Sequence, residues 1–504
     1  MIAVKLLSDS LQSNIKEISF DKPLLSGEDI IDLCTNKIAL PPFVICYKIT
    51  RPESFLIATD HIRGIPIFYI LVDNVLVVSD LISDLLSYSR LDIDPKASDE
   101  FLFTGYTKGN STLIKEIKQL QAGEYLYVSE NGIEIAYYIR FLTKTRWNLP
   151  YPVLQQKLNQ IFEDVFSSLI EGLNGRTAVI SLSGGYDSRL IAYWLHKLSY
   201  SKIICFTYGR TDNCEIENAD NTAKQLGLPW HFIDYTKLPI QDYLDSEVFL
   251  KYYQYMANYS SMFFMQDYFA VQYLKENNIL PMDAVFIPGH SGDGLAGSHL
   301  SRRLGRKLTT SQVANEIFIY NYSYTNINDR KKKLIIANLA NDLPTNYPTS
   351  LVFEDWDIRE RQAKFIVNSA RIYPFFGFSY YLPLWDIRLV NFFKSLPFEL
   401  KLHKKLYTET LEKLFSESNL IFPNETKPTN YEYKLRDFKQ SIITHFPFLK
   451  RIKQLPKKDP ICYQEITNMM TKNLEESNIP IYKVYTYNGY IVQWYLAKIQ
   501  SKIK

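Results

Sequence analysis

The sequence predicts a combined α+β and α/β architecture in two parts: a strand-rich N-terminal domain over residues 1–145, then an α/β domain with a parallel sheet and a helical C-terminal part over residues 150–504. Three observations predict it. Short β-branched and aromatic runs with period-2 alternation fill the first ~140 residues. The hydrophobic period becomes helical near Pro152. Strand, glycine-rich turn, helix and strand then follow in the order of a parallel βαβ unit.

In chain order, Phe43 to Tyr47 is a short apolar run of strand character. Ile67 to Val72 and Val75 to Val78 flank Asp73-Asn74, a two-residue hairpin turn. Gly123 to Val128 and Ile133 to Ile135 repeat that pattern around Asn131-Gly132. Val153, Leu154, Leu158, Ile161, Phe162, Val165, Phe166, Leu169 and Ile170 recur at helical spacing, with Gly172 or Gly175 as the stop. Thr177 to Leu182 reads as a strand, Arg189 to Leu198 as a helix, Lys202 to Tyr208 as a strand and Glu217 to Leu226 as a helix. Ala284 to Ile287 is a further strand, ending at Pro288-Gly289, and the chain beyond is mainly helical.

Composition narrows the function classes. With 504 residues, 46% hydrophobic and 22% charged, the chain has ample material for a core and is not disordered throughout. Lys plus Arg number 57 against 54 Asp plus Glu, so the net charge of +3 supports neither a nucleic-acid nor an anionic-membrane partner. No apolar run approaches the ~20 residues of a membrane span. The five cysteines form no CxxC pair, which speaks against a zinc site and fits a reducing compartment. A soluble, cytoplasmic protein is expected. The 37 Tyr and 30 Phe fit either an aromatic core or an aromatic binding surface.

The chemistry concentrates in Val179-Ile180-Ser181-Leu182-Ser183-Gly184-Gly185-Tyr186-Asp187-Ser188-Arg189, between a buried strand and a helix. Paired glycines permit a tight turn with outward N–H groups, and the helix adds its positive N-terminal end. The hydroxyls of Ser183 and Ser188 suit phosphate oxygens. Asp187 repels phosphate directly, so its role is to hold Mg²⁺ that bridges to phosphate. The absence of a turn lysine separates this loop from the Walker type. The plainer alternative is a strand–helix turn capped by Ser and Asp.

This segment resembles the pyrophosphate loop of ATP pyrophosphatases. Three further matches narrow the resemblance to asparagine synthetase-like proteins, relatives of β-lactam synthetase and lasso-peptide cyclases. Phe206-Thr207-Tyr208-Gly209 with Glu217, Ala219 and Ala223 to Gly227 is similar to the family's second strand and helix. Ile287-Pro288-Gly289-His290-Ser291-Gly292-Asp293-Gly294 is similar to its second glycine-rich loop. Tyr381 to Asp386, followed by Ser395-Leu396-Pro397, is similar to its later helical segment. The resemblance implies ATP and Mg²⁺ as cofactors, with Asp187 and Asp293 on the metal. It implies ATP and pyrophosphate contacts from Ser181, Ser183, Gly184, Gly185, Asp187, Ser188, Tyr208 (toward adenine) and Gly289. Lys427 falls about where the family places a lysine near the α-phosphate; the alternative is a solvated lysine. Upstream, Asp60 to Tyr69 resembles a class II amidotransferase region, which implies an Ntn-type β-sandwich.

The departures are informative. That family's glutaminase nucleophile is a cysteine at position 2, where this sequence has Ile2. The expected N-terminal domain is therefore a degenerate amidotransferase without glutaminase activity. In the second loop the family's Glu after the Asp is Gly294, and His290 stands where β-lactam synthetase has an acid–base tyrosine. His290 then either deprotonates the attacking amine or hydrogen-bonds phosphate. Arg302, Arg303, Arg306 and Lys307 either reach an anion or form a solvated face.

The expected function is an ATP-dependent amide-bond-forming ligase that adenylates a small-molecule carboxylate for attack by ammonia or an amine. Surface-polysaccharide and natural-product biosynthesis are the candidate settings, and a homodimer or a separate glutaminase the candidate partners. The alternative is a catalytically inactive nucleotide-binding or partner-binding homologue.

Overall fold

The computed structural model describes residues 2–20, 25–35, 40–211, 214–420, 459, 461–476, 482–484 and 486–503. Nine strands precede residue 140 among them: β1 Ala3–Leu6, β2 Ile15–Ile18, β3 Val44–Thr50, β4 Glu53–Thr59, β5 Phe68–Val72, β6 Val75–Ser79, β7 Lys118–Gln119, β8 Glu124–Ser129 and β9 Gly132–Tyr137. They form two sheets, in the orders β1-β6-β5-β7 and β2-β3-β4-β8-β9. The expected hairpin β5–β6 forms, with Asp73 and Asn74 at φ 47° and 62°. Positive φ at both central residues gives the turn the right-handed twist of its strands.

Alternation sorts the side chains into layers. Val44, Cys46, Ile57, Leu76, Val78, Leu126 and Val128 fill the space between the two sheets. On the other face of β3, Ile45, Tyr47 and Ile49 pack with Ile30 and Cys34 of helix α1, Gly27–Thr35. The far face of the first sheet, with Phe68, Ile70 and Val77, packs on Ile82, Leu85, Ile114 and Ile117. Both cysteines of these layers are free and buried, and burial pushes each thiol up to about 12.

Helix α2, Pro95–Thr104, precedes β7, and helix α3, Tyr151–Leu173, leads into the third sheet. Its strands are β10 Ala178–Ser181, β11 Ile203–Gly209, β12 Trp230–Asp234, β13 Val285–Phe286 and β14 Ser379–Tyr380. Their order is β12-β11-β10-β13-β14, with every neighbouring pair parallel. The chain builds outward from β10 to β12, then returns to lay β13 on the other side of β10. The reversal between β10 and β13 is the point where open α/β sheets place their ligands, at the carboxyl ends of the strands.

Several helix boundaries differ from the sequence expectation. Helix α3 runs through Gly172 and ends at Leu173, capped by Asn174 at φ 49°. Gly172 is packed, not terminal: a Cβ there would meet the Tyr381 ring at 3.6 Å. Helix α4, Tyr186–Lys197, starts a turn earlier than its apolar periodicity, because extended Gly185 is already its N-cap. Helix α5, Cys214–Leu226, follows β11, and helix α6, Glu247–Ala257, precedes β13. Helices α7 Lys405–Glu417, α8 Tyr463–Glu476 and α9 Tyr487–Ile503 complete the labelled set.

Much of the aromatic excess lies in the core. Trp494 of α9 meets Tyr253 of α6 with ring centroids 4.9 Å apart, and Tyr495 meets Phe101 of α2 at 5.7 Å. Phe286 of β13 stacks on Tyr373 at 4.2 Å. Tyr252, Tyr268, Tyr373 and Tyr407 are fully buried. The same apolar cluster takes in Ile62, Phe101, Leu102 and Phe141 from the first 145 residues.

Candidate active site

Two loops leave the sheet at the reversal. The first spans residues 182–185, between β10 and α4. The Ser188 hydroxyl accepts the Ser183 N–H at 3.0 Å and lies 3.1 Å from Ser183 Oγ, and Gly185 N–H donates to Ser183 Oγ at 3.2 Å. Arg189 Nε donates to the Gly185 carbonyl at 3.1 Å. The serines expected on phosphate thus also pin the loop that carries them. Gly184 sits close to α5: a Cβ would lie 3.2 Å from Glu215 Cα at the start of that helix.

The second loop follows β13 and carries Gly289, His290 and Ser291 into the one-turn helix Gly292–Leu295. It lies hard against the first. A Cβ on Gly289 would sit 2.9 Å from Ser188 N, and one on Gly292 would sit 2.9 Å from Asp187 Cγ. Ser291 turns the chain with φ 65° and donates its hydroxyl to Gln362 Oε1 at 2.7 Å.

The result is a carboxylate pair. Asp187, in the first turn of α4, accepts the Asp293 N–H on Oδ2 at 3.0 Å and the Tyr407 hydroxyl on Oδ1 at 2.7 Å. Burial and the negative charge of Asp293 push the Asp187 carboxyl up to about 7, against the pull of Tyr407, the Asp293 N–H and the Lys404 charge. A pair so short of positive charge suits a divalent cation. Among the described residues no group of three or more His, Cys, Asp or Glu forms a closed metal cage. Two carboxylates fit Mg²⁺, which keeps waters and takes its remaining ligands from phosphate.

His290 is half-buried, with Nε2 3.4 Å from Ser369 Oγ. The Ser369 hydroxyl donates to the Ile366 carbonyl at 2.6 Å, so toward the ring it accepts. This assigns the imidazole proton to Nε2 and leaves Nδ1, buried and without a protein partner, as the lone pair. Burial lowers the pKa of His290 despite the nearby Asp267 charge, so the ring is neutral near pH 7.

Other expected residues have partners of their own. Tyr208, near the end of β11, stacks on Tyr235 at 5.4 Å and donates its hydroxyl to Asp267, which also accepts from Tyr373 at 3.1 Å. Its ring packs on the aromatic layer at the strand end and stays partly exposed. Arg303 pairs with Glu316 at 3.3 Å, and Arg306 and Lys307 are exposed. Lys427 lies outside the described residues. Tyr407 and Lys404 were not singled out in the sequence. Their link to Asp187 comes from α7 and the turn before it, far along the chain, and no local pattern marks them.

Residues 175–424 match the family model described as asparagine synthase. A 62-residue stretch is 34% identical to the 7-cyano-7-deazaguanine synthase of Lysinibacillus sphaericus (strain C3-41), covering 12% of this chain and 28% of that protein. The chain therefore spans under a third of that relative's length. Among solved structures, the NH3-dependent NAD synthetase from Campylobacter jejuni subsp. jejuni NCTC 11168 in complex with the nitrate ion aligns over 29% of this chain and 60% of that chain. Its identity is 14% and its TM-score 0.20.

Proposed function

Because residues 175–424 belong to the asparagine synthase family, we propose that this chain is an ATP-dependent ligase that forms an amide through an acyl-adenylate. The observation that carries the proposal is the Asp187–Asp293 pair, brought from two loops to the sheet's reversal point with the Asp293 N–H on Asp187 Oδ2 at 3.0 Å.

In this reading a substrate carboxylate oxygen attacks the α-phosphorus of ATP, and the bond to pyrophosphate breaks. Ammonia or an amine then attacks the acyl carbon, gives up a proton, and AMP leaves. Asp187 and Asp293 hold Mg²⁺, which when bound neutralises charge on the phosphates. The loop of Ser183, Gly184, Gly185 and Ser188 receives pyrophosphate at the positive end of α4. His290 Nδ1 is the atom placed to take the amine's proton, its lowered pKa keeping it neutral and competent. Lys427 is assigned the α-phosphate. Residues 1–145 form a degenerate class II amidotransferase domain: its described cysteines, Cys34 and Cys46, are buried with raised thiol pKa values, unlike an activated nucleophile. The acid is a carboxylated sugar or a natural-product precursor rather than aspartate, given the changed second loop.

ATP–pyrophosphate exchange against a panel of carboxylic acids tests this. Exchange stimulated by one acid and abolished by Asp187→Ala supports both reaction and site. Exchange that survives Asp187→Ala refutes the site, and ATP binding without exchange for any acid favours an inactive homologue.

A further inference from the structure

The N-terminal sheets reach the carboxylate pair by one packed route. Asp60 is fully buried and accepts the N–H groups of Phe43 at 3.0 Å, Ile62 at 2.9 Å and Gly64 at 3.0 Å, which fixes the turn Asp60–Gly64. Three hydrogen bonds tie this turn and its neighbour Pro41 to residues 380–385. His61 Nε2 donates to the Trp385 carbonyl at 2.5 Å, the Tyr380 hydroxyl donates to the Gly64 carbonyl at 2.8 Å, and Leu382 N–H donates to the Pro41 carbonyl at 2.9 Å.

The segment so held is a short edge: β14 gives two residues of pairing, followed by a single 3₁₀ turn, Pro383–Trp385. Leu384 in that turn is buried, and its Cδ1 lies 2.8 Å from where a Cβ on Gly292 would stand. Gly292 directly precedes Asp293, whose N–H holds Asp187. Turn, Trp385, Leu384, Gly292 and Asp293 are therefore in unbroken contact.

We propose that His61 is a positioning residue for the metal carboxylates, acting through Trp385 and Leu384 on the Gly292–Asp293 turn, so that the N-terminal domain serves as a brace for the neighbouring site. The proposal rests on the assignment of Asp187 and Asp293 to the metal. Partners hydrogen-bonded directly to a metal ligand are typically worth about ten- to a hundredfold in metal affinity, which sets an upper bound for a residue acting through intermediates.

The test is Mn²⁺ binding in the presence of a non-hydrolysable ATP analogue, followed by electron paramagnetic resonance on the full chain. His61→Ala should weaken Mn²⁺ binding by a few-fold, up to about tenfold. His61→Gln, which keeps an N–H near the place of Nε2, should restore it. Leu384→Ala should weaken it likewise without touching the contact between domains. Wild-type affinity in both His61→Ala and Leu384→Ala, with Asp187→Ala binding lost, overturns the brace and leaves the metal assignment standing. Undiminished binding in Asp187→Ala overturns the assignment itself. Should His61→Ala fail to fold, Tyr380→Phe removes one hydroxyl from the same contact. Weakened Mn²⁺ there supports the brace, and unchanged Mn²⁺ overturns it.

Discussion

Asp60 and Asp187 each organise a turn, and they are opposites in what surrounds them. Asp60 gathers three backbone N–H groups and is sealed at 0% exposure. Asp187 has one N–H, one hydroxyl and a second carboxylate for company. A carboxylate that spends its lone pairs on its own backbone shapes the chain. One left beside a like charge is held at a cost to stability that a bound cation relieves.

The comparison breaks most sharply on Asp187→Asn. Pyrophosphate exchange is expected to fall by about 10²–10³, the usual loss on removing one electrostatic contact to a reacting phosphate or carbonyl. Apo thermal stability at pH 8 is expected to hold or rise, because the substitution removes a buried like-charge contact. Exchange assays and a thermal melt on the same preparation measure both.

Asp60→Ala should behave in reverse. It orphans buried N–H groups at Phe43, Ile62 and Gly64, each costing roughly 1–3 kcal/mol, so a loss of about 3 kcal/mol or more is expected in urea denaturation. A stability change under about 0.5 kcal/mol, the size of a neutral surface substitution, would remove Asp60 from its structural role.

The sequence made some of this legible and hid the rest for physical reasons. The β5–β6 hairpin and the Ser183–Ser188 loop are local: turn residues, alternation and glycine spacing lie within a few positions of each other. Asp293 was readable because its own loop carries the pattern. Tyr407 was not, since its hydroxyl reaches Asp187 across a separation of 220 residues and depends on how α7 packs. Strand β14 is two residues long and offers no period to read. Paired glycines suggest conformational freedom, yet Gly185 sits at φ −82°, a region side-chain-bearing residues adopt, and a Cβ on Gly184 would crowd Glu215 and Asn218 of α5. Steric proximity of this kind is a property of the packed molecule.

Gly289→Ala sharpens the comparison at smaller amplitude. The added Cβ would lie 2.9 Å from Ser188 N and 3.3 Å from the Asp187 Cβ, so one loop must shift by a few tenths of an ångström. Displacement of a positioned group by about 1 Å can cost on the order of a hundredfold. A smaller shift should cost about tenfold in exchange rate, with denaturation nearly unchanged.

The smallest effect is the dependence on pH at Asp187. Burial and the Asp293 charge push the Asp187 carboxyl up to about 7 in the fold, against its ordinary 3.8. Between those values the folded chain binds more protons than the unfolded one, so this group's contribution to stability is greatest at low pH and is lost as pH rises through 7. Asp187→Asn lacks that loss. The melting temperature of Asp187→Asn minus that of the wild type should therefore grow from pH 5 to pH 8, by a few degrees. Mg²⁺ with a non-hydrolysable ATP analogue supplies the missing positive charge and should raise the wild-type melt most above pH 7, with little effect on Asp187→Asn. A difference that shrinks toward pH 8 would show that the Asp187 carboxylate is already compensated within the protein, as Asp60 is by its N–H groups.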